Sequence, residues 1–327
     1  MGSAKGADRG SGYPSNLMDI GIALPSVGPV GEREFVLDVA RRAEHLGFHS
    51  VWAADHVAFP RTRTSVYPYP ESTTELAFSP GVDWLDPVAV MGVVAGATER
   101  LVIGTSVLVL PYRNPVILAQ ELASLDRLSE GRIVLGIGSG WMDEEFAAVG
   151  VPKRERGART DEAIELLRAL WATTDYLTFD GRFTQLDEVV LASHPSRPGG
   201  PPIMIGGNTE PALRRAGRLG DGWLGFEVFL DQLPTKRDAI ARAAEEAGRD
   251  PSAITLSVRR GLVPPFEVSN FLPARRSLQG HPEEVAGEIR AYEAAGVTLM
   301  VLDLNFVLPD VLDTMDWLAE EAVPLLV

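Results

Sequence analysis

Two rhythms of apolar and polar positions take turns along this chain. Residues 19–24 form a short, nearly continuous apolar run of strand length. Residues 32–46 then bring Val36, Val39, Ala40 and Ala43 to one helical face. Gly47 stands where a helix C′ glycine belongs, and residues 50–54 read as the next strand. The same order of helix, glycine and strand recurs at 212–219, Gly220 and 222–226, and again at 283–295, Gly296 and 297–304. Three such echoes predict helices that return to a sheet through short, stereotyped connections.

Further units fill the intervals. Residues 101–110 predict a strong strand, and a helix starts at Asn114 with Leu118, Leu122 and Leu125 on one side. A strand follows at 132–137, and Trp141 opens a helical region that resumes after Pro152 through residues 159–171. Strands are expected at 202–205 and 254–263, and a closing helix at 311–322 turns Met315 and Leu318 inward. Eight strand–helix units with apolar strands mean a parallel sheet covered by helices. Eight favours an α/β fold of the closed (β/α)8 TIM-barrel type over a doubly wound sheet. Residues 18–327 are expected to form a single barrel domain, with the Gly/Ser-rich residues 1–17 as a flexible tail. Three insertions interrupt the pattern: 57–85, a hairpin at 176–192 around Asp180-Gly181, and a Pro/Arg-rich loop at 264–280. The first and third follow strand C-termini, the face where barrel enzymes bind ligands.

Composition narrows the function classes. In 327 residues, Lys+Arg 30 against Asp+Glu 45 gives a net charge of −15, the wrong sign for a surface that tracks phosphates, so nucleic acid is not an expected partner. The absence of cysteine excludes disulfides, thiolate metal sites and a cysteine nucleophile. No apolar run approaches the ~18 residues of a membrane span, and residues 1–16 lack an apolar signal core, so a cytoplasmic location is expected. No H-x-H or H-E-x-x-H spacing occurs, which disfavours a metal-dependent hydrolase and leaves no metal expected.

Four stretches carry candidate chemistry. Asp55-His56 ends the second strand, which in a barrel places an imidazole over the site, suited to proton transfer or to a bond with a redox ring. Asp55 would fix its tautomer or face a ligand; the plainer alternative is a histidine bonded to a loop carbonyl. Gly136-Ile137-Gly138-Ser139-Gly140 follows a strand and precedes a helix, but its third glycine comes one position too early for a dinucleotide fingerprint. It reads better as a strand end that a flat ligand approaches closely. Gly206-Gly207-Asn208-Thr209 leads into a helix whose N-terminal amides suit a phosphate, or form a capped turn with no ligand. Gly104, Thr105, Ser106 and Val107 interrupt an apolar strand in the manner of a bulge beside a ligand. Arg132, Arg156 and Arg159 read as solvated or ion-paired with neighbouring Glu155, Asp161 and Glu162 rather than as catalytic.

Taken together, residues 51–56, 101–115, 131–141, 155–171, 203–222 and 281–301 resemble the luciferase-like flavin and deazaflavin oxidoreductases, most closely the coenzyme F420-dependent branch. The resemblance runs from Met18 to Val327. It implies a ring bound at the C-terminal mouth against a non-prolyl cis peptide, which by position is Ser106–Val107. It also implies His56 at the reactive edge, with Asp55, Thr105 and Gly138 to Gly140 around the ring and Gly206, Gly207 and Asn208 on the cofactor phosphate. F420 is the implied cofactor, with FMN in a two-component monooxygenase as the alternative, and a non-catalytic flavin-binding barrel as a third reading. A homodimer and a small organic substrate are implied as well. One departure stands out: the sugar-phosphate dehydrogenases of that branch carry Glu where this chain has Trp141. Trp141, with Tyr67, Tyr69, Phe78 and Trp84, points instead to a larger, less polar substrate.

Overall fold

The computed structural model describes residues 18–27, 31–68, 83–266, 277–304 and 310–327. Tyr69, Phe78 and the expected N-terminal tail lie outside these residues.

The strands are β1 (Asp19–Ala23), β2 (Ser50–Ala53), β3 (Val102–Thr105), β4 (Leu108–Val109), β5 (Ile133–Gly138), β6 (Leu177–Asp180), β7 (Gln185–Val189), β8 (Ile203–Gly206), β9 (Gly222–Phe226), β10 (Thr255–Val263), β11 (Ser277–Gln279) and β12 (Leu299–Asp303). Eight of them close a parallel ring in the order β1-β2-β3-β5-β8-β9-β10-β12, with β12 paired back to β1. This is the (β/α)8 TIM barrel that the alternation predicts. The helices around it are α1 (Arg33–His45), α2 (Pro87–Ala95), α3 (Pro115–Leu128), α4 (Asp143–Ala148), α5 (Arg156–Ala172), α6 (Glu210–Leu219), α7 (Leu233–Glu246), α8 (Pro282–Ala294) and α9 (Val311–Trp317).

Local chemistry explains the boundaries. Asp86 and Asn114 each accept two main-chain N–H groups at the starts of α2 and α3, and a proline follows each cap. Gly47 takes φ 82° after α1, as a left-handed C′ residue should, whereas Gly220 sits at φ −83° and ends α6 in extended backbone. The anticipated echo is therefore one of order, not of cap geometry.

The strand expected over 101–110 is broken after Thr105 and resumes as β4. Short β11, inside the expected 264–280 loop, adds to β10 outside the ring. The hairpin appears as an antiparallel β6–β7 pair.

Inside the ring, Trp52 occupies space that two glycines leave open. A Cβ on Gly104 would lie 2.5 Å from its ring, and one on Gly21 would lie 2.8 Å from its Nε1. The indole N–H donates to Ser50 Oγ at 2.8 Å, so no polar group there is stranded. Ala23, Met204, Leu224, Leu299 and Val301 complete this inner cluster. The larger outer core lies between strands and helices and holds Val36, Val39, Ala40, Ala43, Leu118, Leu122, Met315 and Leu318, as the helical periodicity requires. Among the described residues no helix is long and apolar enough to cross a membrane, and no group of three metal-ligating side chains gathers.

Candidate active site

The peptide bond between Ser106 and Val107 is cis. It separates β3 from β4 and turns the Val107 side chain toward the neighbouring strand ends. A Cβ on Gly138 would lie 2.7 Å from Val107 Cγ2, and one on Gly206 would lie 2.5 Å from Val107 Cγ1. A Cβ on Gly136 would meet the Thr105 carbonyl at 1.9 Å, and one on Gly140 would meet Val109 and Phe146 at 2.8 and 2.9 Å. The glycine run thus accommodates the interrupted third strand and α4. Sequence reasoning gave that space directly to a ligand; the structure gives it to Val107, Val109 and Phe146. Thr105 is fully buried and donates to the Gly136 carbonyl at 2.6 Å, so its hydroxyl braces the strands. Ser139 lies 3.2 Å from both Thr160 Oγ1 and Arg215 Nη1, the guanidinium being tied in turn to Asp161.

His56 is held by a residue that sequence reasoning missed. Its Nδ1 lies 2.8 Å from Glu145 Oε2, and the Glu145 side chain is 1% exposed. The second oxygen of Glu145 accepts the N–H groups of Val57 at 2.8 Å and Ala58 at 3.3 Å. Burial alone would raise this carboxyl. The hydrogen bond and charge of His56, with the two amides, outweigh it and hold Glu145 below the ordinary carboxylate range. Tyr112 Oη lies 3.3 Å from Glu145, and burial followed by that negative charge pushes the phenol strongly upward, keeping it a neutral donor. Glu145 therefore fixes the imidazole with its N–H on Nδ1 and its lone pair on Nε2.

An aromatic wall surrounds the imidazole. Trp84, Phe59 and Trp141 have ring centroids 4.6, 5.4 and 6.3 Å from His56, and Tyr67 packs on Trp141 at 5.1 Å. Arg63 lies over the Trp141 ring at 5.7 Å. The loop that brings Phe59 and Tyr67, residues 57–68, is tied down by the first turn of α4. Glu144 accepts Thr64 N, Thr64 Oγ1 and Ser65 N at 2.6 to 3.1 Å, while Asp143 accepts Ser65 Oγ at 2.9 Å and pairs with Lys153. Asp143, Glu144 and Glu145 thus each hold part of one loop.

Asp55 does not orient His56. Its carboxylate accepts Val109 N at 2.7 Å and a two-pronged bond from Arg113 at 2.5 and 2.9 Å, and Arg113 also reaches Asp86. Both of its oxygens are engaged by the segment after the cis bond. The structure makes Asp55 the anchor of β4, and transfers to Glu145 the task of fixing the tautomer.

At the end of β8, Gly207 adopts φ +108°, a conformation that suits glycine alone. The Asn208 side chain donates to the Phe226 carbonyl at 2.6 Å and accepts Phe226 N at 3.2 Å, which locks the turn to β9. Its amide therefore serves the fold rather than a ligand. Thr209 makes no side-chain cap on α6. Among the described residues, the N–H groups of Asn208, Thr209 and Glu210 have no acceptor. Lys236 Nζ lies 3.3 Å from the Asn208 carbonyl, burial pushes its ammonium pKa down, and no carboxylate pairs with it among those residues. Uncapped amides beside a cation are the chemistry that suits an anion.

Across the mouth, Arg259 on β10 is paired with Asp303 at the end of β12 and donates from Nη1 to the Ser106 carbonyl at 2.7 Å. Neither residue figured in the sequence reading, although two adjacent arginines inside a nine-residue parallel strand are a signal in themselves, because buried charges need partners.

The family model described as luciferase-like monooxygenase matches residues 18–264. An F420-dependent glucose-6-phosphate dehydrogenase from Intrasporangium calvum is 31% identical over 83% of this chain and 89% of its own. Another from Amycolatopsis mediterranei is 35% identical over 67% of this chain and 62% of its own. Among solved structures, an F420-dependent secondary alcohol dehydrogenase in complex with an F420-acetone adduct has a TM-score of 0.78 at 22% identity, covering 95% of this chain and 99% of that one. The long-chain alkane monooxygenase LadA has a TM-score of 0.79 at 17% identity, covering 96% of this chain and 92% of that one. At these identities the two structures speak for the fold.

Proposed function

The chain belongs to the luciferase-like monooxygenase family, and from that premise we propose that it is an F420-dependent oxidoreductase moving a hydride between the deazaflavin and an organic substrate. The observation that carries this reading is the buried His56–Glu145 pair at the end of β2, in a chain whose 31–35% identical relatives include F420-dependent dehydrogenases.

The residues present fit such a cofactor. The uncapped amides of Asn208, Thr209 and Glu210, beside Lys236, suit its phosphate, and the Gly206-Gly207 turn brings main chain close to it. Ser106 and Val107 lie where the ring is expected. When bound, the cofactor supplies hydride exchange at one ring carbon. The protein supplies orientation and a proton. With Nδ1–H committed to Glu145, Nε2 of His56 accepts the proton from a substrate hydroxyl, or returns it to a carbonyl in the reverse direction. The aromatic wall of Phe59, Trp84 and Trp141 excludes water from that exchange. The same wall favours a weakly polar, bulky alcohol or carbonyl compound over a sugar phosphate, in keeping with Trp141 in place of a carboxylate.

The monooxygenases among the structural relatives keep a second reading in view, that of an FMN-dependent oxygenase supplied with reduced flavin by a reductase. Titrating the purified protein with F420 and with FMN, followed by absorbance and fluorescence, separates the two. Tight F420 uptake with negligible FMN binding is expected; the reverse order rejects the proposal. Binding of F420 without turnover against a panel of secondary alcohols and ketones would favour a non-catalytic barrel. The homodimer that the resemblance implies is open to light scattering.

A further inference from the structure

Strand order gives the Arg259–Ser106 contact a meaning that the distance alone does not. In the ring β1-β2-β3-β5-β8-β9-β10-β12, three strands separate β3 from β10 on either side. Ser106 directly follows β3, and Arg259 lies on β10. The 2.7 Å bond from Arg259 Nη1 to the Ser106 carbonyl therefore crosses the barrel from one wall to the wall opposite. It does so at the level of the cis peptide, where the third strand is interrupted. The guanidinium lies across the axis and forms part of the floor on which any ligand in the mouth rests.

Its surroundings hold it there. Asp303 Oδ2 accepts Arg259 Nε at 3.0 Å and also Nη2, and the Asp303 side chain is 6% exposed. Ser106 Oγ lies 3.4 Å from Nη1, and the Phe226 ring centroid lies 5.8 Å from the guanidinium carbon. Of the five N–H groups, the second on Nη2 has no acceptor among the described residues. A buried ion pair is a poor source of stability compared with apolar packing of equal volume. Placing one between neighbouring strands, with its guanidinium reaching over a barrel otherwise filled by Trp52, Leu224 and Val301, calls for a use beyond packing.

We propose that Arg259, through the Nη2 N–H that Asp303 leaves without an acceptor, is a fixed charge-assisted donor under the redox ring, and that it makes the site bind the reduced, anionic cofactor in preference to the oxidised one. This rests on the deazaflavin reading above. A two-electron-reduced ring of this kind is a weak acid whose anion spreads its charge over the pyrimidine carbonyl end. Asp303 offsets the net charge of the guanidinium, but a hydrogen bond from that N–H is stronger to the anion than to the neutral oxidised ring. Asp303 and the Ser106 carbonyl are positioning groups: they hold the fork flat across the axis.

The test compares dissociation constants of purified F420 in its oxidised form and, under anaerobic conditions, in its chemically reduced form. The wild type is expected to bind the reduced form more tightly by on the order of tenfold. Arg259→Met should abolish that preference, and Arg259→Lys, which keeps the charge but loses the fork, should retain part of it. Circular dichroism and thermal unfolding check that each variant is folded. If Arg259→Met does not fold, the lysine variant and Arg259→Gln decide the matter by the same ratio. Equal weakening of both forms, or an unchanged ratio, overturns the inference and leaves Arg259 as a packing element. A wild type that takes up neither form of F420 overturns the deazaflavin reading first, and this proposal with it.

Discussion

The rim of the barrel mouth at the end of β2 is assembled from side chains, whereas the rim at the end of β8 is assembled from main chain. On the first, His56 is oriented by Glu145 from α4, and the loop that walls it is tied by Asp143 and Glu144. On the second, a glycine at φ +108° and three uncapped amides line the proposed phosphate site, and among the described residues Lys236 adds charge beside them. A rim that does chemistry needs particular functional groups, and each must be held by charges brought from elsewhere in the chain. A rim that anchors an anion needs only N–H groups, which every residue but proline carries. The two rims should therefore fail differently when altered: the first in turnover, the second in affinity.

The sharpest separation comes from His56→Ala, expected to lower turnover by ~10²-fold or more while F420 affinity stays within about twofold, as steady-state kinetics and fluorescence titration would show. A comparable loss of affinity would erase the division of labour. Gly207→Ala addresses the other rim, since its φ of +108° strains any side chain and the new Cβ would lie 3.2 Å from that of Ala212. Cofactor binding should weaken by about tenfold, with turnover at saturation little changed, because the strain of ~1–2 kcal/mol falls on the turn alone. Glu145→Gln keeps the shape but removes the charge. It should lower turnover on the order of tenfold with cofactor affinity little changed, because His56 loses the carboxylate that fixes its orientation and tautomer. Unchanged turnover would reduce Glu145 to a loop cap.

Acid provides a gentler probe. Asp143, Glu144 and Glu145 are all held below their ordinary pKa values by the bonds they accept. Depressed carboxyls stabilise the folded form above their unfolded pKa, near 4, and that contribution is lost as pH falls through the depressed values. Protection of the 57–65 amides against hydrogen exchange, taken relative to their intrinsic rates, should thus hold from pH 5 to 7 and fall only below about pH 4, with the 206–210 turn unaffected. The smallest change is expected from Lys236→Met, a loss of affinity of about threefold that shrinks further with added salt.

The two rims also differed in how far they could be read from residues alone. His56 was legible because a histidine at a strand's C-terminal end in an eight-unit α/β pattern has one natural place. The position of the cis bond came through the resemblance to a family. Glu145 was not legible: it lies 89 residues from His56, in an Asp-Glu-Glu run that looks like an ordinary solvated helix start. Only the buried Phe146 beside it hints that one of the three acids turns inward. Asp55 was expected to fix the His56 tautomer or to face a ligand; its tie to Arg113 was not legible, since nothing local links the two. Helix α2, apolar on nearly every side, offers no helical stripe and went unread; its cap Asp86 followed by Pro87 was the available sign. The barrel itself was the most legible part, because apolar strands alternate with helices eight times and glycine punctuation recurs three times, while each site residue occurs once.

Among the described residues the β6–β7 hairpin pairs only with itself: its ladder joins Leu177 to Val189 and Asp180 to Gln185, and none of its pairs belongs to the eight-strand ring. It is held to α5 by the Glu162 carboxylate, which accepts Phe183 N and Thr184 N, by Arg159 stacked on the Phe183 ring at 4.3 Å, and by Leu177, Phe179 and Leu186 packed on the outer core. A segment clipped on in this way is a cassette. It can be exchanged for a foreign ribbon while barrel closure is left alone, provided the two amides that meet Glu162 and the three apolar side chains that meet the core are kept.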